Sequence, residues 1–543
     1  MDVSLTQAVL AGGASLVLWT LVRRLTAPKS DLDNIPGPPS PSFLIGNTAQ
    51  VRSRVGWDFH RELAEKYGTV AQLKGLFGKK TLYVHDPKAI YHIAVKDLDI
   101  WEEANYFTRT TYRNFGPGLF STHGEHHRKQ RKILNPAFSV THLREMLPIF
   151  YDVLRQAIEM RMEDGEAEVN MVGWMGRTAL ELVGQAGLGY SFDPLIEDST
   201  DPFAEALKGL MPCLSELIPW PLFFPLAEKL VPESWLRPIA DMLPWPALHR
   251  LCHYTDVMHE KSLEIIANKR RAIGAGDDAL KREVGEGKDI ISLLLKANMA
   301  SAEEDRLPDA ELVAQVSVLS FAAMDTTSNA LSRTLWCLAL HPDWQDKVRA
   351  ELLQAKAQAG GADLDFDTLT ALPLLDAVCR ETLRLYVPAP FRFREAREAT
   401  VLPLHTPVRG RDGRTMYELV VPKDTPAFVS IEAANTSPAL WGPDAHAWRP
   451  ARWLAPLPAS VADAKIPGLY SNLMTFWAGG RGCIGFKFSQ VEMKVVLAVL
   501  LSTFVFELSD TPVHWNLAAI VYPSTELGGV KPEMPMKVRL LKH

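Results

Sequence analysis

The stretch from Phe476 to Gly485, F-W-A-G-G-R-G-C-I-G, decides how the chain reads. Four glycines surround a single cysteine, and helix-forming residues follow from Phe486 to Leu501. Glycine lacks the Cβ that would hold a backbone away from a flat or bulky group. Cys483 stands just ahead of the helix, where unpaired N–H groups and the positive end of the dipole favour a thiolate over a thiol. A thiolate there is a soft metal ligand, and Arg481, two residues earlier, could meet an anion beside it.

Gly480, Gly482 and Gly485 also spell G-x-G-x-x-G. A dinucleotide site needs that pattern inside a βαβ unit, with an acidic residue at the end of the second strand. No parallel-strand repeat surrounds it here, and a cysteine occupies its centre. A packed cysteine in a glycine turn is the plainer alternative, and the rest of the chain weighs against it.

With Phe476, Gly479, Arg481, Cys483 and Gly485 in place, F-x-x-G-x-R-x-C-x-G resembles the haem-binding signature of the cytochrome P-450 superfamily. The resemblance implies that Cys483 is the proximal haem ligand, its thiolate pushing electron density to favour O–O cleavage. It also implies that Phe476 and Gly485 lie against the cofactor and that Arg481 holds a propionate.

The chain has 543 residues, enough for one large domain or a few smaller ones. Hydrophobic content of 47% and charged content of 22% are ordinary for a globular protein, and a net charge of −6 argues against non-specific nucleic-acid binding. Cys213, Cys252, Cys337, Cys379 and Cys483 are few and widely spaced, with no C-x-x-C pair. That suits a reducing compartment and excludes a disulfide framework or a cysteine-rich zinc site.

From Val3 to Val22 the chain is mostly apolar, and Arg23, Arg24 and Lys29 follow at once. About twenty residues span a bilayer as a helix. The cations on the C-terminal side place the remaining chain in the cytoplasm, whereas a cleaved signal peptide would carry its charge first. Residues 1–29 are therefore expected to be one N-terminal transmembrane helix with a basic flank. Residues 30–50, with Ile35-Pro-Gly-Pro-Pro and Pro41, form a stiff spacer, which the resemblance makes the hinge of microsomal members. Residues 51–543 are then the haem-thiolate catalytic domain, mainly α with small β-sheets.

Trp57–Tyr67 reads as a short helix, Thr69–Lys74 and Thr81–His85 as strands, and Asp86-Pro87 as a helix start. Gly124 to Ser139 is densely basic, and on a helix His127 and Arg131 share a face at i, i+4. By itself such a segment is a solvated charged face. The resemblance puts Arg131 on a haem propionate and His127 where a tryptophan is usual, and imidazole can also hydrogen-bond a carboxylate. The other cations would suit an acidic electron-transfer partner. The wording of this helix is similar to that of fungal microsomal members.

Met146–Met162 and Met171–Gly187 read as helices. Pro202 to Leu248 is rich in proline and large apolar residues, among them Leu214, Leu217, Trp220, Phe223, Phe224 and Trp235. It reads partly as core and partly as an exposed apolar loop that dips into the membrane. Gly274–Lys288 reads as a surface loop.

Asp309 to His341 carries the longest helical pattern, between Pro308 and Pro342. Its centre, A-A-M-D-T-T from Ala322 to Thr327, is a poor choice for a buried helix, and threonine back-bonding can bend it there. The motif resembles the family's oxygen-activation sequence, in which Asp325 and Thr326 would deliver protons to the oxygen being activated. Ala323 replaces the usual glycine and narrows the oxygen groove.

Glu381 and Arg384 share a helix face at i, i+3. With Arg452, in W-R-P-A-R-W from Trp448 to Trp453, they resemble the family's E-R-R triad. Pro390, Phe391 and Phe393 could line a pocket, and Arg394 matches a position that contacts the second propionate. Asn435-Thr-Ser is a glycosylation sequon that a cytoplasmic orientation keeps unmodified. Phe504–Leu508 and Val538–Leu541 suggest a terminal β-region closing the pocket near Tyr522 to Leu527.

The resemblance covers essentially the whole chain. It implies a cytochrome P-450 fold with haem b, and a monooxygenase that inserts one atom of O2 into a lipophilic substrate. Terpenoid or sterol-like molecules of fungal specialised metabolism are the expected class, with aromatic xenobiotics as the alternative. A haem-thiolate isomerase or dehydratase and a non-enzymatic haem sensor are the competing readings. No flavin or nicotinamide domain follows the cysteine loop. Electrons are therefore expected from a separate NADPH-cytochrome reductase, with cytochrome b5 as a second donor, at the endoplasmic reticulum membrane. No nucleic-acid partner is expected.

Overall fold

The computed structural model describes residues 30–158, 166–192, 201–217 and 231–541. The expected anchor at 1–29 and the apolar run from Trp220 to Leu226 lie outside them.

The central element is the helix Asp309–Leu340. Pro308, extended at its N-cap, cannot extend the helix backwards, and Asp309 and Glu311 in the first turn complement the dipole. Leu312 through Ser320 are buried on every side, as expected of a helix that is apolar all round. It is long and apolar enough to cross a bilayer, but 67% of its apolar window is buried in the protein, so it is a core helix. Around it pack Met171–Leu182, Pro246–Gly274, Pro373–Leu385 and the helix that follows the cysteine loop, Phe486–Thr503.

One five-stranded sheet flanks the helices. Its strands are β1 (Val70–Lys74), β2 (Lys80–Val84), β3 (Trp101–Glu103), β4 (Phe391–Ala396) and β5 (Pro426–Ser430), in the order β1-β2-β5-β4-β3. Only the β2–β5 pair is parallel. Alternation along β4 sorts its side chains. Phe391 and Phe393 turn to one face, where Phe391 lies 4.5 Å from the rings of His60 and Phe428. They join a separate small cluster with Leu63, Leu73 and Tyr83. Both phenylalanines stay part-accessible there, while the period of the strand gives the opposite face to Arg392 and Arg394.

Residues 30–50 are not a detached spacer. Leu32 and Ile35 are buried in the main core, and Pro36 O accepts from Gln72 N on edge strand β1 at 2.9 Å. Gly37 is required there, since a Cβ would stand 1.9 Å from Gln72 O. The proline run thus covers a sheet edge.

The described parts of Pro202–Leu248 contain helices. Asp201 caps a helix, Pro202–Glu216, that buries Phe203, Leu207, Leu210 and Cys213, with Leu217 buried just beyond its end. A second helix, Glu233–Met242, presents Trp235, Ile239 and Met242 to the outside, with Leu243 next to it. Gly274–Lys288 is largely exposed, as expected, although Leu280 is buried. Phe504–Leu508 and Pro535–Leu540 form a three-stranded sheet with Glu166–Asn170, a strand the sequence did not announce. Tyr522–Ser524 pairs with His514–Asn516, and Val521 N donates to Pro388 O at 2.8 Å.

Candidate active site

The cysteine loop is closed by its own backbone. Cys483 N donates to Phe476 O at 2.9 Å, and Gly482 N to Gly479 O at 3.0 Å. Gly479 has φ +61°, and a Cβ on it would lie 2.1 Å from Ala94 O. Glycine is demanded there by the protein's own chain. At Gly485, the N-cap of Phe486–Thr503, a Cβ would touch only Phe138, at an ordinary 3.7 Å. Phe476 packs its ring between Tyr470 and Phe486.

Among the five cysteines only Cys483 is exposed. Its surroundings still push the thiol up, because burial outweighs the opposing Gly485 N–H and the cations Arg392 and Arg131. The sulfur is accessible, and the packed residues around it oppose its charge. A bound metal ion would supply the charge that offsets this desolvation and favours the thiolate. Among the described residues no three His, Cys, Asp or Glu converge as a metal cage. A metal at Cys483 would need its remaining ligands from a cofactor.

The central helix is part-accessible at its middle. Phe321, Ala322, Ala323, Asp325 and Thr326 are part-accessible between the buried Ser320 and Thr327. Thr327 Oγ1 lies 3.2 Å from Ser489 Oγ on the cysteine-loop helix, so this turn and the Cys483 loop are neighbours. Thr326 Oγ1 donates to Ala322 O at 2.7 Å, the expected back-bond. Burial raises the Asp325 carboxyl to about 6, against the lowering charge of Lys208. Asn329 Nδ2 donates to Asp325 O at 2.8 Å. An acid titrating near neutrality beside a hydroxyl can exchange protons.

Cations gather on the other side. His127 and Arg131, on the helix Gly124–Leu134, both face the loop: Arg131 Nη1 donates to Gly482 O, and buried His127 is pushed down to about 3 by burial and by Arg481 and Arg131. His127 is thus a neutral donor. Arg481 Nη2 donates to Thr122 O at 2.8 Å and pairs with Glu102 at 3.3 Å. Arg394 pairs with Glu103, lies 5.0 Å over the Trp477 ring and is 1% exposed. A cleft of about 240 Å³ opens between Glu102, His127, Arg128, Arg131 and Arg481. The sequence reading missed Glu102, Glu103, Trp477 and Arg392. The alternation F-R-F-R was the available signal for Arg392, since period two puts it on the face of Arg394.

The triad is assembled. Glu381 receives Arg384 at 2.9 and 2.8 Å, Arg452 Nε at 3.5 Å, Arg449 N at 3.0 Å and Trp453 Nε1 at 2.9 Å. Arg384 also donates to Asn435 O and Ala445 O. Asn435 in turn accepts from Met474 N at 2.8 Å, two residues before Phe476. The triad therefore positions the start of the cysteine loop. Asn435 is fully buried, which closes its sequon to modification in the folded chain.

The family profile "Cytochrome P450" matches residues 36–526. The chain belongs to the cytochrome P-450 family. It is 51% identical to "Cytochrome P450 monooxygenase 91" of Postia placenta over 97% of this chain and 98% of that protein. It is 46% identical to "Ganoderic acid synthetase CYP5150L8" of Ganoderma lucidum over 99% of both. A third relative, a cytochrome P450 monooxygenase eriI of Hericium erinaceus, is 37% identical over 97% of this chain and 96% of its own length. The chain is accordingly an oxidoreductase of the P-450 monooxygenase class, a family that carries haem and uses O2. The residues fit that cofactor: one accessible sulfur, a part-accessible turn of the central helix near it, and a cleft edged by basic groups. Cys483 would hold the iron, and His127, Arg131 and Arg481 would meet carboxylates. Arg394 would join them by exchanging its partner Glu103.

Proposed function

We propose that this P-450 monooxygenase hydroxylates or further oxidises a lipophilic terpenoid or sterol-like substrate, anchored to the endoplasmic reticulum membrane and fed by an NADPH-dependent reductase. The observation that carries the reading is the accessible Cys483 beside the part-open Asp325-Thr326 turn. Haem, when bound, supplies the oxygen chemistry. The chain supplies the rest. Cys483 offers the ligand sulfur, Asp325 holds and releases a proton near neutral pH, and the Thr326 hydroxyl passes it along the cavity wall.

The substrate class is supported by the relative named for ganoderic acid and by the apolar Phe115, Phe120 and Phe321 packed beside the open turn. Membrane contact is supported by the apolar run Val3–Val22 and by exposed Trp235 and Met242. Docking of an acidic reductase is supported by exposed Arg128 and Lys132 at the rim of the cleft beside Arg481. The test is co-expression with a reductase. The expected result is a thiolate-type Soret band on CO binding to the reduced protein, with NADPH-dependent oxygenation of terpenoid substrates. Turnover without NADPH consumption would overturn the reading in favour of an isomerase or dehydratase.

A further inference from the structure

Arg392 is a cation with no assigned task. It stands on the Arg394 face of β4, opposite Val429, and is part-accessible. Its guanidinium donates only to its neighbour's carbonyl, Phe391 O, at 3.4 Å, and no carboxylate lies within ion-pair distance among the described residues. Glu103, whose charge reaches it, is held by Arg394. Arg392 shares its strand face with Arg394, which lies 5.0 Å over the ring of Trp477 in the cysteine loop, so it stands towards the same site. A guanidinium cannot shed its charge in a protein, and a part-buried, unpaired one is costly. An anion from outside the chain is the natural partner.

We propose that Arg392 binds a carboxylate carried by the lipophilic substrate, so that the enzyme favours amphiphilic acids over neutral molecules. The inference rests on the reading of the cavity as a lipophilic-substrate site and names the polar group of that substrate. The haem propionates are the other carboxylates the cavity would receive, and their donors sit elsewhere. Arg394, Arg481, Arg131 and His127 cluster where β3 pairs with β4, through Glu103 opposite Arg394. Arg392 projects from the strand beyond the end of β3, about 6.6 Å further along. Its end of β4 leads back to Pro390 and Pro388, where the C-terminal segment is tied on through Val521.

The full-length, haem-loaded protein is titrated with dodecanoic, abietic and ursolic acids and with the methyl ester of each, reading the substrate-induced Soret shift. In at least one pair the acid binds about tenfold to a hundredfold more tightly than its ester. Arg392→Gln abolishes that preference and Arg392→Lys, which keeps the charge, weakens it, while haem content stays at the wild-type level in both. The proposal is overturned if esters bind as tightly as acids in every pair, or if the preference survives in Arg392→Gln. It is equally overturned if Arg392→Gln loses haem with its helical content intact, which assigns the arginine to a propionate. Absence of any shift with acids and esters alike would sink the lipophilic-substrate reading itself.

Discussion

Arg384 grips Glu381 through two parallel hydrogen bonds, Nε to Oε2 at 2.9 Å and Nη2 to Oε1 at 2.8 Å, and neither side chain is exposed. Because Arg384, Arg452, Arg449 N and Trp453 all converge on this one carboxylate, removing it strands buried donors together. Glu381→Ala is expected to cost about 3–5 kcal/mol and to prevent haem retention. Urea unfolding and the Soret absorbance check it, and a haem-loaded variant with the wild-type midpoint would refute the positioning role.

Cys483 contributes its backbone N–H, not its sulfur, to the closure of the loop. Cys483→Ala should therefore fold, with far-ultraviolet circular dichroism unchanged, while losing the thiolate-type band on CO binding. Cys483→His should restore some bound haem at a different band position, since imidazole also ligates iron. A wild-type spectrum in either variant would remove the sulfur from the site.

The Thr326 hydroxyl donates to Ala322 O at 2.7 Å at the part-accessible middle of the central helix. Its loss should lower product formed per NADPH by about a hundredfold without altering haem content, and Thr326→Ser should recover most of it. Product yield and NADPH consumption measured together check this. Unchanged coupling in Thr326→Ala would leave proton transfer to water alone.

Much of this arrangement was legible because its parts are local. Pro308 and Pro342 bracket the central helix, Glu381 and Arg384 sit one turn apart, and the glycines around Cys483 announce a tight loop. What escaped depends on pairing over long distances. Glu102 and Glu103 meet Arg481 and Arg394 only because β3 lies beside β4, nearly 300 residues later in the chain. Strand alternation, legible in F-R-F-R, sends Phe391 and Phe393 to the cluster under His60 and Phe428, a packing that depends on residues far away in the chain. The desolvation that opposes a charge on Cys483 exists only in the fold, whereas the helix terminus that favours it is visible in sequence.

Two glycines of the signature should respond differently to alanine. Gly479→Ala places a Cβ 2.1 Å from Ala94 O at φ +61°, and the left-handed conformation alone costs about 1–2 kcal/mol. Gly485→Ala meets only Phe138 at 3.7 Å and should leave the stability of the haem-free protein near wild type. Melting temperatures of the two apo-variants check the contrast, and equal losses would contradict it.

Asp325 makes stability depend on pH in a defined direction. Burial lifts its carboxyl from 3.8 to about 6 in the folded chain. A group whose folded value is raised contributes its full stability below the unfolded value and loses it as pH rises through the folded one. Ionised Asp325 therefore weakens the fold above pH 6, whereas Asp325→Asn carries no such penalty. From pH 5 to pH 8 the variant should gain on wild type by about 1–2 kcal/mol, read as a widening gap between their melting temperatures. A gap that stays constant across that range would mean that the carboxyl titrates as an ordinary exposed acid, and would take from Asp325 the near-neutral proton exchange on which its place beside Thr326 depends.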